Sequence, residues 1–207
     1  RAYQDPSVDI IITLDDDVRP IEGAGPLVNG YRRVLNTPIP TRWIEPIPGI
    51  PLRGMPRQGP TAAPILHVGM WTGIPDIDAE TQLAHPEVMA RWAERASEAM
   101  FPARSITSGQ YMPMSIMSIG WKREVTPYIY MMALPPGCER WDDIWWGCIF
   151  KRLADLRGWT VTYGAPLVHH TRASNPTANL AREAGGYTIN ERLWRGLDAI
   201  PLDRFDR

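Results

Sequence analysis

The chain has 207 residues, 44% hydrophobic and 22% charged, with a formal net charge of -1. That is enough for one domain with a real core. It excludes a global basic field of the kind that draws nucleic acid or a membrane surface, although a local basic patch stays compatible. Cys138 and Cys148 make neither a disulfide framework nor a CxxC metal pair, which fits a reducing, cytoplasmic compartment. No apolar run reaches the length of a membrane span.

In chain order, residues 8–14 read as the first strand, buried on both faces of a sheet. The chain opens at Arg1-Ala2-Tyr3 without a signal-peptide pattern. Residues 20–40 read as loop, with a short apolar piece near Tyr31–Leu35. The 21 prolines are about twice the usual share. They cluster in 35–65, so 41–66 is expected to be an ordered, mostly irregular segment. His67–Trp71 reads as a short strand, and Pro75–Asp78 as a turn. A helix is expected from Pro86 to about Met100, with Met89, Trp92 and Ala96 as its stripe. Residues 111–121 look like strand material, their methionines serving as core filler. The next helix is capped by Asp142 or Asp143, buries Ile144, Cys148, Ile149, Leu153 and Leu156, and stops at Gly158. Thr160–Tyr163 reads as a short strand and Thr171–Thr177 as a polar loop. Thr188–Glu191 is a capping-box pattern opening a last helix to about Leu197. Strands alternating with helices predict a single α/β layered domain over 1–207.

The first strand ends in Asp15-Asp16-Asp17. Alternation along a strand points Asp15 and Asp17 to one side and Asp16 to the other. Two carboxylates on one side suit a hard divalent cation, Mg2+ or Mn2+, with positions open for phosphate oxygens. The plainer reading is an acidic turn or a helix cap. A metal-binding strand at a sheet edge would be poorly placed, so further strands are expected to be missing or supplied otherwise. Arg140-Trp141-Asp142-Asp143-Ile144-Trp145-Trp146 offers carboxylates that can hold a hydroxyl or act as base, beside rings that stack on a sugar. Two acids at a helix start are more often caps. In Val168–Pro176, a histidine just after a strand can complete a metal site through a neutral ring nitrogen, and Arg172 can bind diphosphate. The commoner cases are a structural histidine and a solvated arginine. Leu52-Arg53-Gly54-Met55-Pro56 taken alone is a turn with a basic residue.

In this order the pieces resemble the reversibly glycosylated polypeptides, the UDP-arabinopyranose mutase family. The resemblance rests on Thr13–Asp17, Leu52–Pro56, Gly69–Leu83, Phe101-Pro102, Arg140–Gly147 and His170–Pro176, and runs from about 8 to 187. It implies a glycosyltransferase-A fold, a mixed sheet flanked by helices, using Mn2+ or Mg2+ and a UDP-sugar. Asp15, Asp17 and His170 would then hold the metal. Asp15, Asp16, Arg172, Asn175 and Trp71 would face the nucleotide. Asp142, Asp143 and Arg53 would be catalytic, Arg53 falling on the family's reversibly glycosylated arginine. An arginine stays protonated and is a poor nucleophile, so contact with the sugar is as plausible as covalent attachment. The resemblance departs over 18–50 and ahead of the acids, where the family carries its first strands and uridine contacts.

Three functions follow as expectations. The first is a metal-dependent UDP-sugar mutase or self-glycosylating enzyme. The second is a transferase of the same fold acting on an external glycan or on a hydroxylated base in DNA, the nucleic-acid acceptor being disfavoured by the net charge. The third is a non-catalytic, partner-binding member of a homo- or hetero-oligomer. Four retained acids, Asp15, Asp17, Asp142 and Asp143, argue against the third.

Overall fold

The computed structural model describes residues 2–41, 53–56, 61–99 and 103–201. The expected segment over 42–52, the Phe101-Pro102 pair and the end of the third helix at Met100 lie outside the described residues, as does the Ala96 side chain. The strands are β1 (Ile10–Leu14), β2 (Val18–Pro20), β3 (Ile39–Pro40), β4 (Thr61–Ala62), β5 (Leu66–Gly73), β6 (Arg104–Ser105), β7 (Ser118–Lys122) and β8 (Val161–His170). The helices are α1 (Ala24–Asn36), α2 (Ala79–Ala84), α3 (Glu87–Ala99), α4 (Asp142–Leu156), α5 (Pro176–Glu183) and α6 (Tyr187–Asp198).

A six-stranded mixed sheet runs β1-β7-β5-β8-β2, with β6 paired to β8, and β3 and β4 form a separate pair. β5 and β8 are parallel; every other pairing is antiparallel. These directions bring the carboxyl ends of β1, β5 and β8 to one end of the sheet, where ligands of open α/β sheets bind. β1 lies at the sheet's edge among the described residues.

Alternation along the strands divides the core. Leu66 and Val68 of β5, Ile119 and Trp121 of β7 and Val161 of β8 pack with Trp146, Phe150 and Ala154 of α4. The residues between them face α1. There Tyr31, fully buried, lies across Gly120 and Gly69, and its hydroxyl meets Ser118 Oγ at 2.7 Å. A Cβ at Gly120 would fall 2.4 Å from the Tyr31 ring, and one at Gly69 2.4 Å from its hydroxyl. His67, on the same face, touches the Tyr31 ring edge-on, and burial pulls it down to about 4, so it is neutral at physiological pH.

Several elements differ from expectation, for physical reasons. Residues 24–36 are helix, although Gly25, Pro26 and Gly30 read as loop. Leu27, Tyr31 and Leu35 recur every fourth residue and are all buried, Pro26 sits in the first turn where no N–H is needed, and Gly30 lets α1 close onto Pro166 of β8. Strand β8 continues past Gly164 to His170: it bulges over 165–167 opposite Met70 and resumes its pairing with β5 at Trp71 and Val168. Of 111–121 only Ser118 onward is strand, while Met114 and Met117 are core filler as expected. The buried face of α4 is Trp145, Trp146, Phe150, Lys151 and Ala154, one position off the expected stripe. Neither Asp142 nor Asp143 caps α4; Trp141 holds the cap position, without a side-chain bond. Thr188 lies inside α6, which starts after Gly186. The expected turn at Pro75–Asp78 and the expected loop from Thr171 to Asn175 are non-helical, and two short helices, α2 and α5, follow directly, each capped by a side chain: Asp78 accepts from Thr81 N and Asn175 from Ala178 N.

A candidate nucleotide-sugar cleft

The chain leaves β1 at Leu14 and turns through the three acids into β2. Asp15 N donates to Met117 O at 3.2 Å, and Asp16 N to Asp15 Oδ1 at 2.8 Å. Thr171 fixes the Asp17 carbonyl with both its N–H and its hydroxyl, at 3.0 and 2.8 Å. The acids therefore sit on a turn and not on a strand, and one oxygen from each lies within 4.8 Å of the others. Asp15 and Asp17 line the cleft; Asp16 stands at its edge, 75% exposed against 13% for the Asp17 side chain. The same-side expectation for Asp15 and Asp17 holds in outcome, but the turn is the cause.

His170, the last residue of β8, is oriented by its other ring nitrogen. Nδ1 lies 2.8 Å from Ile74 O, and a carbonyl only accepts, so Nδ1 carries the proton. In the neutral ring that leaves the Nε2 lone pair facing Asp17 Oδ2, 3.5 Å away. Asp17 Oδ1 is buried with no hydrogen-bond partner. A desolvated carboxylate oxygen without a donor is costly unless a cation meets it, and carboxylates with an imidazole lone pair are ligands suited to Mn2+ or Mg2+. The residues fit such an ion. Arg172 Nη2 reaches Asp17 Oδ2 at 2.8 Å and Asp16 Oδ1 at 3.1 Å. These acids hold its guanidinium protonated even more firmly than usual.

The cleft encloses about 860 Å³ and extends from this turn to the start of α4. At the far end stand Asp142 and Asp143, in the first turn of α4. Asp143 accepts from Ile144 N at 2.8 Å and from Ile116 N at 3.4 Å. Burial, then the neighbouring Asp142 and Asp76, push its carboxyl up to about 6, against bonds to both amides that pull it down. Asp76 lines the cleft as well and acts electrostatically on Asp143. Withdrawal from water raises Asp76; Arg140 and His170 pull it down, and so does a hydrogen bond with Ser115.

Of the expected site residues, Asp15, Asp17, His170, Arg172, Asn175, Asp142 and Asp143 all line one cleft. Asn175 does so as the cap of α5. Trp71 does not line it: it is a core residue stacked on Trp92 with ring centroids 5.3 Å apart. Arg53 is exposed, in the described fragment 53–56, and is not among the residues lining the cleft. Asp76, Arg140 and Glu183 line the cleft and carried no role in the sequence reading. Asp76 sat inside an expected turn. Glu183 sat beyond an expected loop, with no local mark of its contacts.

The model for the family described as reversibly glycosylated polypeptide matches residues 50–204. UDP-arabinopyranose mutase 3 of Arabidopsis thaliana is 36% identical over 157 residues, covering 73% of this chain and 40% of the relative. The probable UDP-arabinopyranose mutase 1 of Pisum sativum is 36% identical over 160 residues, covering 74% and 42%. UDP-arabinopyranose mutase 1 of Oryza sativa subsp. japonica is 33% identical over 148 residues, covering 69% and 38%. The chain spans about two-fifths of the length of these relatives. The family match begins after the three acids, yet the fold sets those acids against a cleft built from matched residues. On the strength of that match, covering most of the sequence, the chain belongs to the reversibly glycosylated polypeptide family.

Proposed function

We propose that this chain handles a UDP-sugar in a divalent-metal-dependent enzyme of the glycosyltransferase-A type, working as a mutase or a self-glycosylating protein. The observation that carries the reading is the pairing of an unsatisfied, buried Asp17 Oδ1 with a His170 ring fixed so that Nε2 faces Asp17. The mutase names of the relatives supply the substrate class.

Asp15, Asp17 and His170 would hold the cation, which would supply the positive charge that neutralises a leaving nucleoside diphosphate. Arg172, which lines the cleft beside these acids, would exchange its present carboxylate partners for phosphate oxygens. At the other end, Asp143 sits near 6, so close to neutral pH it can both give and take a proton at a sugar oxygen. The carboxylates of Asp142 and Asp76 stabilise positive charge that develops at the anomeric carbon. Asn175 and the turn of α5 wall the cleft between these ends.

The test is intact-protein mass spectrometry and UDP release after incubation with labelled UDP-arabinopyranose and Mn2+. It compares wild type with Asp17→Asn and Arg53→Ala. A sugar-sized mass gain lost in both variants supports the self-glycosylating mutase reading. UDP release without mass gain, abolished by Asp17→Asn, transfers the reading to an external or water acceptor. Neither signal leaves a binding subunit and refutes the enzyme.

A further inference from the structure

The far end of the cleft is rich in acceptors. Asp76, Asp142 and Asp143 can each receive a hydrogen bond from a sugar hydroxyl, but a hydroxyl also accepts, and an ionised carboxylate cannot serve that half. Among the described residues, Arg140 is a held cationic donor lining the cleft. Arg140 Nε donates to Glu183 Oε1 at 2.9 Å, with the Arg140 side chain 37% exposed and that of Glu183 5%. Arg140 precedes the start of α4 by two residues, lines the cleft, and is close enough to Asp76 to lower it.

The plain reading is that Arg140 merely neutralises a buried glutamate. The geometry of the pair speaks against it. A guanidinium whose task is to satisfy a carboxylate normally engages both oxygens in a fork. Here Glu183 Oε2 is already taken, by Ala79 N at 2.7 Å and by the Tyr187 hydroxyl at 2.9 Å. Only Nε of Arg140 is engaged, and among the described residues no protein acceptor takes either Nη group. Glu183 is itself bonded on several sides. Its side chain joins the first N–H of α2 to Tyr187 of α6, and its carbonyl accepts from Trp141 Nε1 at 3.0 Å. The Trp141 ring lies on Gly186, where a Cβ would fall 2.2 Å from Nε1. Arg182, the neighbouring cleft arginine, is exposed and has no such fixation.

We propose that Arg140 is a sugar-binding residue, donating from its Nη groups to a hydroxyl or ring oxygen of the bound nucleotide sugar, and that Glu183 is its positioning residue. The inference rests on the nucleotide-sugar reading above. It assigns the two ends of the cleft separate tasks: Asp17, His170 and Arg172 serve the diphosphate, and Arg140 serves the sugar.

The experiment is calorimetric binding of UDP and of UDP-arabinopyranose, each with Mn2+, to wild type, Arg140→Met, Glu183→Gln and the double variant. Arg140→Met is expected to lose roughly tenfold or more in affinity for the UDP-sugar, the scale of a hydrogen bond to a charged group, with UDP affinity unchanged. Glu183→Gln is expected to give a smaller loss of the same selectivity, and the double variant to bind no worse than Arg140→Met, since Glu183 acts through Arg140. A loss shared equally by UDP and UDP-sugar in Arg140→Met overturns the sugar assignment, as does no loss for either. A Glu183→Gln loss that adds to that of Arg140→Met, or that falls on UDP as well, makes Glu183 scaffold and overturns its positioning role. Should Glu183→Gln fail to fold, by circular dichroism, Arg140→Met alone decides the sugar assignment. Wild type that binds neither ligand refutes the nucleotide-sugar reading itself, and this inference with it.

Discussion

Asp143→Asn tests the electrostatics of the cleft directly. Asp143 titrates near 3.8 in an unfolded chain and at about 6 in the fold. Its folded value is raised, so the folded state holds this proton over a range in which the unfolded state has released it. Below about pH 4 both states are protonated and the group is neutral in its effect. As pH climbs from about 4 to 6 the fold loses stability, and above 6 the loss is complete. At about 1.4 kcal/mol per unit the loss is about 3 kcal/mol, and partial solvent access trims it to about 2–3. Asparagine removes this charge at every pH. It keeps an acceptor for Ile144 N but sets an amide against Ile116 N, where Asp143 now accepts at 3.4 Å. That weak bond costs about 1 kcal/mol regardless of pH. The variant is therefore expected to be about 1–2 kcal/mol more stable than wild type at pH 7 and about 1 kcal/mol less stable at pH 4. Urea unfolding at pH 4, 5, 6 and 7, with unchanged slopes, measures it. A stability difference that stays flat across that range refutes the argument that burial and the neighbouring acids raise Asp143.

Other perturbations reach the cation turn and the core. Asp17→Asn removes the charge from the one acid of the turn that is largely buried, and calorimetric titration with Mn2+ alone is expected to lose its binding signal; retention of wild-type affinity would place the cation elsewhere. Gly120→Ala drives a methyl into the Tyr31 ring and is expected to cost about 1–3 kcal/mol or more in chemical denaturation. Lys151 is 1% exposed and donates to Asp155 at 2.6 Å and to Thr107 O at 3.1 Å. Lys151→Met strands the Asp155 carboxylate, itself 5% exposed, at a cost of about 3–5 kcal/mol. An unchanged midpoint in thermal unfolding would show that water reaches Asp155.

The order of the strands' apolar runs and the acid turn was legible in the sequence because those signals are local. Ile10–Leu14 is a run of strand formers, and Asp142–Asp143 opens a helix whose length and stop at Gly158 read correctly. What stayed hidden depends on distance. Helix α1 was masked by Gly25, Pro26 and Gly30, of which Gly30 lets Pro166 approach. The caps of α2 and α5 were written in Asp78 and in Asn175-Pro176, and the proline pattern around them drew the reading toward loop. The family resemblance implied a nucleotide-facing Trp71, yet it lies in the core, stacked on Trp92. Glu183 was hidden because, Tyr187 apart, the groups its carboxylate holds lie 43 and 104 residues away. A carboxylate that gathers such distant partners is visible only once the chain has folded.

The Tyr31 lock restricts how this sequence can drift. Its ring fills the volume that side chains at 69 and 120 would otherwise occupy, and its hydroxyl is tied to Ser118. No single step to a larger residue at either glycine is open while the tyrosine stands. The tyrosine must shrink first, and that step leaves a void beneath α1. The strand it holds down begins next to Met117, whose carbonyl anchors Asp15. Mutational change at a helix remote from the cleft is thus coupled, through one ring and one strand, to the placement of the acids. Functional libraries that vary 31, 69 and 120 together, and not one at a time, are the ones that can cross this barrier.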